Sequence, residues 1–377
     1  MFSSRFHWDF RPNRLTELLT RKRAEGAQVL DLTESNPTRA GIAYPAAIAR
    51  TFEDDRVLRY EPSAAGMASA RAAVARYYAD RGHDVPVERI LLTASTSEAY
   101  AYLFKLLADP GDHVLVPRPS YPLFEFLATM EHVGVRQYPL AYHGSWSIAM
   151  DELAAMIDSR TKAIVLVNPN NPTGSYVKPA EAEALARLGV PLISDEVFAD
   201  YGVGLSMVNT EDCLTFSMNG LSKSAGLPQM KLGWIVVSGP EVQCREAMEK
   251  LEWIADTYLS VSTPVQCAAE RLIEAGAGIQ QQIRERTAEN RAVASELLAG
   301  SAADILHVEA GWNIVVRVPR VRSEEEWTLE LLERENVLVQ PGFFYDFYSE
   351  AYLVLSLLTP AEVFREGVGR LGAMVNG

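Results

Sequence analysis

An α/β fold is predicted, with a mostly parallel central sheet, helices on both of its faces and a smaller α+β domain. Three features of the sequence predict it. From residue 89 onward short apolar segments alternate with helical ones: Ile90 to Thr93, Val114 to Val116, Ala163 to Val167, Pro191 to Ser194 and Leu214 to Ser217 read as strands. Polar residues gather directly after these strands, at Ser95, Thr96 and Ser97, at Tyr121, at Asn171, at Asp195 and at Lys223. In sheets of this class ligands bind outside the carboxyl ends of the strands. Near the C-terminus, strands within 305–318, 337–339 and 352–358 are separated by a helix, the pattern of a smaller α+β unit.

At 377 residues the chain is too long for one simple core. The expected division is a large domain over 45–260, with 1–44 and 261–377 forming a small domain. Lys plus Arg number 35 against 49 Asp plus Glu, a net charge of −14, which argues against a nucleic-acid or anionic-membrane surface. Cys213, Cys244 and Cys267 are odd in number and form no CxxC pair, so a reduced compartment and no zinc site are expected. Charges at Arg5, Asp9, Arg11, Arg14 and Glu17 leave no room for a signal peptide, and no apolar run is long enough for a membrane span. The expectation is a soluble, cytoplasmic protein.

Along the chain, Pro12 to Glu25 reads as a helix with Leu15, Leu18 and Leu19 on one face and Gly26 as its stop. Val29 to Leu32 is a strand leading to Ser35 and Asn36, residues that cap or turn a chain. Met67 to Asp80 has helical apolar spacing, and Ser97 to Leu107 is the helix after the first sheet strand. Residues 240–295 read as helical with a break at Thr263-Pro264, and Ser323 to Glu326 is a capping box.

The stretch from Phe216 to Ile235 centres on Lys223, placed after an expected flexible turn at Asn219-Gly220 and followed by a second cation, Lys231. A lysine held between two strands forms a Schiff base if its surroundings lower its pKa. Each marked residue also has a plain structural role. A lysine between two serines, as Lys223 is, is more often a solvated loop lysine, and Asp195 and Ser95 to Ser97 also read as helix caps, Asn171 as a turn residue and Tyr121 as a loop aromatic.

Asn168-Pro-Asn-Asn-Pro-Thr-Gly174, Asp195-Glu196, Ser222-Lys223 and Gly233 together resemble the class I/II pyridoxal-phosphate aminotransferases of fold type I, and the resemblance covers nearly the whole chain. It implies that Lys223 holds pyridoxal 5'-phosphate as a Schiff base and moves a proton between substrate and cofactor. It implies that Asp195 pairs with the ring nitrogen, Asn171 with the ring hydroxyl, and that Tyr121 stacks on the ring. Ser95, Thr96, Ser97, Ser222 and Lys231 would bind the phosphate at a helix N-terminus. Tyr60, six residues before Gly66, matches the tyrosine that the family lends across a dimer interface, which implies a homodimer. Ser35, Asn36 and Asn171 are the expected substrate contacts.

Four positions depart from the family pattern. Phe198 replaces a tyrosine that donates to the ring oxygen. Gly220 replaces a serine, and Lys231 replaces an arginine without its bidentate fork. Val354 stands where the arginine for the substrate carboxylate is usual. Arg317 and Arg39 are the candidate replacements, each also readable as a surface ion-pair residue. If the site merely lacks its clamp, Val354→Arg is expected to improve turnover of simple amino acids; if another arginine fills the role, it is expected to inhibit.

The expected activity is transfer of an amino group between an amine or amino acid and a 2-oxo acid. The same fold also supports carbon–sulfur lyase, decarboxylase and racemase chemistry, and a catalytically silent cofactor-binding protein. A dehydrogenase is a poor reading, because no GxGxxG follows the first sheet strand.

Overall fold

Eight strands form the large sheet: β1 (Ile90–Thr93), β2 (His113–Arg118), β3 (Gly134–Tyr142), β4 (Trp146–Ile148), β5 (Thr161–Val167), β6 (Leu192–Asp195), β7 (Thr215–Gly220) and β8 (Gly233–Ser238). Their order across the sheet is β1-β8-β7-β6-β5-β2-β3-β4. The run from β7 to β3 is parallel, while β8 and the edge strand β4 are antiparallel to their neighbours. The structure, a computed structural model, describes residues 2, 3, 5, 6, 8 and 11–377. Asp9, one of the N-terminal charges, lies outside them.

Successive strand residues point to opposite faces, so a sheet covered on both sides needs unbroken apolar runs. Val114 and Val116 pack with Phe216 and Ile235 on one face, under helices α1 (Thr96–Leu107) and Glu241–Tyr258. Leu115, between the two valines, packs with Ile164 and Leu192 on the other. All five predicted strands are present: β1 has the predicted ends, β2 and β5 are longer, β6 is shifted by one residue, and β7 starts one residue later and ends three later than predicted. Strands β3 and β4 were not expected. Their alternation carries Arg136 and Gln137 and includes no long apolar run, because the far edge of the sheet is partly exposed.

Asn219 and Gly220, expected as a flexible turn, are the last two residues of β7, paired with Trp234 and Gly233. The reason is close packing. Asn219 Nδ2 donates to the Tyr77 hydroxyl at 3.1 Å, and a Cβ on Gly220 would lie 2.9 Å from Gly233 Cα. The same approach explains why a serine is replaced at this position.

The small domain is built on four antiparallel strands in the order Asp304–Ile305, β9 (Asn313–Arg317), β10 (Tyr352–Ser356) and Gln340–Pro341. A separate parallel pair joins Leu30–Asp31 to Val337–Leu338 and so ties the N-terminal segment to this unit. Helix Glu324–Glu335 opens with the expected capping box, Ser323 with Glu326. The long helix α3 (Thr263–Leu297) joins the two cores. Val265, Leu272 and Ile283 pack with the large sheet, and Val293 and Ala294 with Leu32, Trp327 and Phe364.

Candidate active site

The carboxyl ends of β1, β2, β5, β6 and β7 open on one side of the sheet, and the segments that follow them carry the marked residues. Lys223 lies on a short helix, α2 (Leu221–Ser224), not in an open loop. Side chains from elsewhere capture the carbonyls of this turn. Tyr201 Oη donates to Lys223 O at 2.6 Å, Gln280 Nε2 to Ser224 O at 2.7 Å and Tyr44 Oη to Gly226 O at 2.7 Å. The Lys223 amine lies 5.0 Å from the centre of the Trp312 ring and 5.8 Å from that of Phe198. It has no hydrogen-bond partner among the described residues. Burial lowers its pKa from the ordinary lysine value, and the charge of Asp195 opposes that shift. An amine so placed is neutral more readily than a surface lysine, as a nucleophile must be.

Asp195 ends β6. Tyr100 Oη donates to its Oδ2 at 3.1 Å, and Val197 N to its Oδ1 at 3.3 Å. Burial raises its pKa to about 6, while these two hydrogen bonds and Lys223 pull the other way. The two hydrogen bonds and the Lys223 charge offset the burial only in part. Glu196 beside it is satisfied, accepting from Ser194, Ser206 and the Met207 amide. Asn171 Oδ1 accepts from Asn313 Nδ2 at 2.8 Å, which leaves its own amide nitrogen free to donate.

Ser95 caps α1, its Oγ accepting from Glu98 N at 3.2 Å, so its structural role is real. The hydroxyls of Thr96, Ser97 and Ser222 have no partner among the described residues, nor has the exposed Lys231 amine. Gly233 brings β8 against this helix start: a Cβ there would lie 3.2 Å from the Ser95 carbonyl carbon. The free hydroxyls of Thr96 and Ser97 stand in the first turn of α1, and a helix N-terminus is suited to an anion.

Not every marked residue joins this cluster. Arg317 lies at the far end of β9 from Asn313 and pairs with Asp304 at 2.6 Å on the surface. It is the surface ion-pair residue, not a group turned into the cluster. Asn36 Oδ1 accepts from Thr38 N and Thr38 Oγ1, so Asn36 shapes a turn beside exposed Ser35. Exposed Arg39 follows this turn without a side-chain partner among the described residues. Tyr60 is 75% exposed. Tyr121 is half-exposed and lines a cavity of about 390 Å³ with Ser120, Phe124 and Gln137.

Val354 is 1% exposed and packs with Trp146, Leu306, Val315, Tyr345 and Phe347. The position is therefore part of an aromatic core and not an empty clamp. A guanidinium there would enter this aromatic cluster, so Val354→Arg is expected to disturb a core and not to complete a clamp.

Four contributors had no mark in the sequence: Trp312 over the lysine, Tyr201 on its carbonyl, Tyr100 on Asp195 and Asn313 on Asn171. They come from distant segments, and only Trp312-Asn313, flanked by Gly311 and a β-strand, had a local signal. Cys213, Cys244 and Cys267 are buried and unpaired. No group of histidine, cysteine and acidic side chains among the described residues could hold a metal, and none of the helices searched among them is long and apolar enough to cross a membrane.

The donor set fits one kind of cofactor: a partnerless amine for an aldehyde, a buried carboxylate for a ring N–H, and a helix N-terminus with free hydroxyls for a phosphate. The comparisons agree. The family model "Aminotransferase class I and II" matches residues 27–371. The glutamate-pyruvate aminotransferase AlaA of Haemophilus influenzae is 27% identical over 93% of this chain and 92% of its own. An S-alkyl-thiohydroximate lyase of Arabidopsis thaliana is 31% identical over 57% of this chain and 49% of its own. The solved alanine aminotransferase of Pyrococcus furiosus has the same fold, with a TM-score of 0.89 at 23% identity over 100% of this chain and 99% of that one. With cofactor chemistry, sheet topology and sequence in agreement, the chain belongs to the class I and II aminotransferases, pyridoxal-phosphate-dependent transaminases of fold type I.

Proposed function

We propose that the protein transfers an amino group from an amino acid to a 2-oxo acid, with Lys223 as its catalytic residue. The observation that carries this reading is the Lys223 amine: enclosed, partnerless and lowered in pKa by burial, at the strand ends that also bear Asp195. When bound, pyridoxal phosphate supplies an electron sink for the carbon that bears the amino group. Asp195 would hold the ring nitrogen, and the desolvation that raises its pKa favours pairing with a cation. Asn171 would donate to the ring oxygen, and Tyr121 would cover one ring face. The α1 amides, Ser95, Thr96, Ser97, Ser222 and Lys231 would bind the phosphate. Lys223 would carry the proton to and from the substrate carbon, held in place by the Tyr201 and Gln280 contacts to its turn.

The substrate class follows from the AlaA relative, whose name gives glutamate and pyruvate. Ser35, Asn36 and Arg39 are the proposed contacts at the mouth, tied to β10 through Ser356 Oγ, which donates to Glu34 O at 2.6 Å. Elimination is a second reading, favoured by the apolar setting of Val354 and by the lyase relative. A homodimer that shares Tyr60 is supported by the exposure of Leu58 and Tyr60, 85% and 75%, apolar side chains that a monomer leaves in water. A soluble, cytoplasmic setting accords with the free cysteines.

Borohydride reduction of the cofactor-loaded protein followed by peptide mapping tests the assignment. The label is expected on Lys223; a label on another lysine, or none with cofactor supplied, overturns it. Conversion of bound cofactor to its amine form by glutamate is expected for transfer. Release of a 2-oxo acid and ammonia from an amino acid that carries a leaving group on its β carbon, without that conversion, would establish elimination instead.

A further inference from the structure

We propose that Asn313 is a positioning residue that sets the amide of Asn171 and, through it, the charge on the cofactor's ring oxygen. This rests on the reading above that Asn171 faces that oxygen. Asn313 begins β9 directly after Trp312, whose ring lies 5.0 Å from the Lys223 amine. Its Nδ2 donates to Asn171 Oδ1 at 2.8 Å.

An asparagine amide has one acceptor end and one donor end, and which way it points is set by its neighbours. With Oδ1 of Asn171 occupied by Asn313, Nδ2 of Asn171 is left as the donor. No other side-chain partner of Asn171 occurs among the described residues. A ring oxygen that carries negative charge is stabilised by a donor and repelled by an acceptor, so the orientation has a sign. It matters more in this chain than where a tyrosine shares the work, because Phe198 has no hydroxyl to donate.

The two amides come from different parts of the molecule. Asn171 follows β5 of the large sheet, and Asn313 belongs to the small one. Their segments meet backbone to backbone: Ala310 N donates to Gly174 O at 3.0 Å. A Cβ on Gly174 would lie 2.3 Å from Ala310 O, and Gly174 has the positive φ of 70° that suits glycine. The separation of the amide pair is therefore fixed by the chain around it.

The test is a pH titration of the visible absorbance of the cofactor held on Lys223, in the full-length loaded protein. A donor at the ring oxygen withdraws charge and lowers the pKa of the linked nitrogen. Asn171→Ala should raise that pKa by about one unit, the order of one charge-assisted hydrogen bond. Asn313→Leu is close in volume, neutral and without a donor, and should raise it in the same direction. Asn313→Asp, a near-isosteric change at a half-buried position, can only accept. It should draw the Asn171 amide nitrogen toward itself and raise the pKa at least as far.

In the Asn171→Ala background, Asn313→Leu should add no shift. If it adds its full shift there, the effect does not pass through Asn171 and the proposal is overturned. If Asn171→Ala shifts the titration while both Asn313 variants keep the wild-type value, the proposal fails and the reading of Asn171 stands. If Asn171→Ala itself changes nothing, that reading fails and the proposal falls with it.

Discussion

Replacing Asp195 with asparagine should move stability in opposite directions with and without cofactor. Burial raises the Asp195 pKa from 3.8 to about 6 in the cofactor-free fold, and the Tyr100 and Val197 bonds only partly offset it. Below pH ~4 the carboxyl is protonated in folded and unfolded chains alike, so the raised pKa costs nothing. Between about pH 4 and 6 the unfolded chain ionises while the folded one keeps its proton, and stability falls. Above about pH 6 the penalty is complete. Two pKa units correspond to about 3 kcal/mol, which is an upper figure because Asp195 retains some access to solvent. Spread over an unfolding entropy of roughly 0.8 kcal/mol/K for a chain of this length, that is about 4 °C in Tm. Cofactor-stripped Asp195→Asn should therefore melt up to ~4 °C above wild type at pH 8 and level with it at pH 4. With pyridoxal phosphate added the order should reverse, because asparagine cannot form the charged pair with the ring nitrogen. Scanning calorimetry at several pH values, with and without cofactor, reads both effects. An Asp195→Asn protein that melts below wild type at pH 8 without cofactor would refute the argument that burial dominates at this residue.

Val354→Arg should lower unfolding free energy by about 3–5 kcal/mol in a denaturant titration, since it places an unpaired guanidinium among Trp146, Tyr345 and Phe347. An unchanged midpoint would mean that the side chain escapes to solvent. Tyr201→Phe removes only the hydroxyl that donates to Lys223 O, and should cost about 1 kcal/mol of stability together with a loss of kcat larger than any change in KM. An unaffected kcat would show that the turn keeps its shape without this contact. Mixing Tyr60→Phe and Lys223→Ala subunits should give hybrid dimers with one site free of both lesions. No recovery of activity in verified hybrids would assign Tyr60 to its own subunit.

Local sequence carried much of the fold and the centre of the site. Apolar runs of strand length at 90–93, 163–167 and 214–217 mark the central strands because both faces of a covered sheet must be apolar. β3 and β4 were not legible, since β3, next to the sheet edge and partly exposed, carries Arg136 and Gln137 in place of an apolar run, and β4 is only three residues long. Asn219-Gly220 misled because the same dipeptide serves a tight turn and a close strand crossing. What distinguishes them is Gly233 on the neighbouring strand, some distance along the chain.

The sequence by itself determined that Lys223, Asp195 and Asn171 follow successive strands of one sheet, and hence that they share one side of it. Their placement was readable because it depends on residue type and order. Only the tertiary structure decided their environment. It gave Lys223 an aromatic neighbour in Trp312, gave Asp195 a hydroxyl from Tyr100, and turned the Asn171 amide toward Asn313. It also moved Arg317 into a surface pair and closed a core around Val354. Burial, pKa and hydrogen-bond direction depend on what lies within a few ångströms in space, and for these residues those neighbours lie tens to hundreds of residues away in the chain.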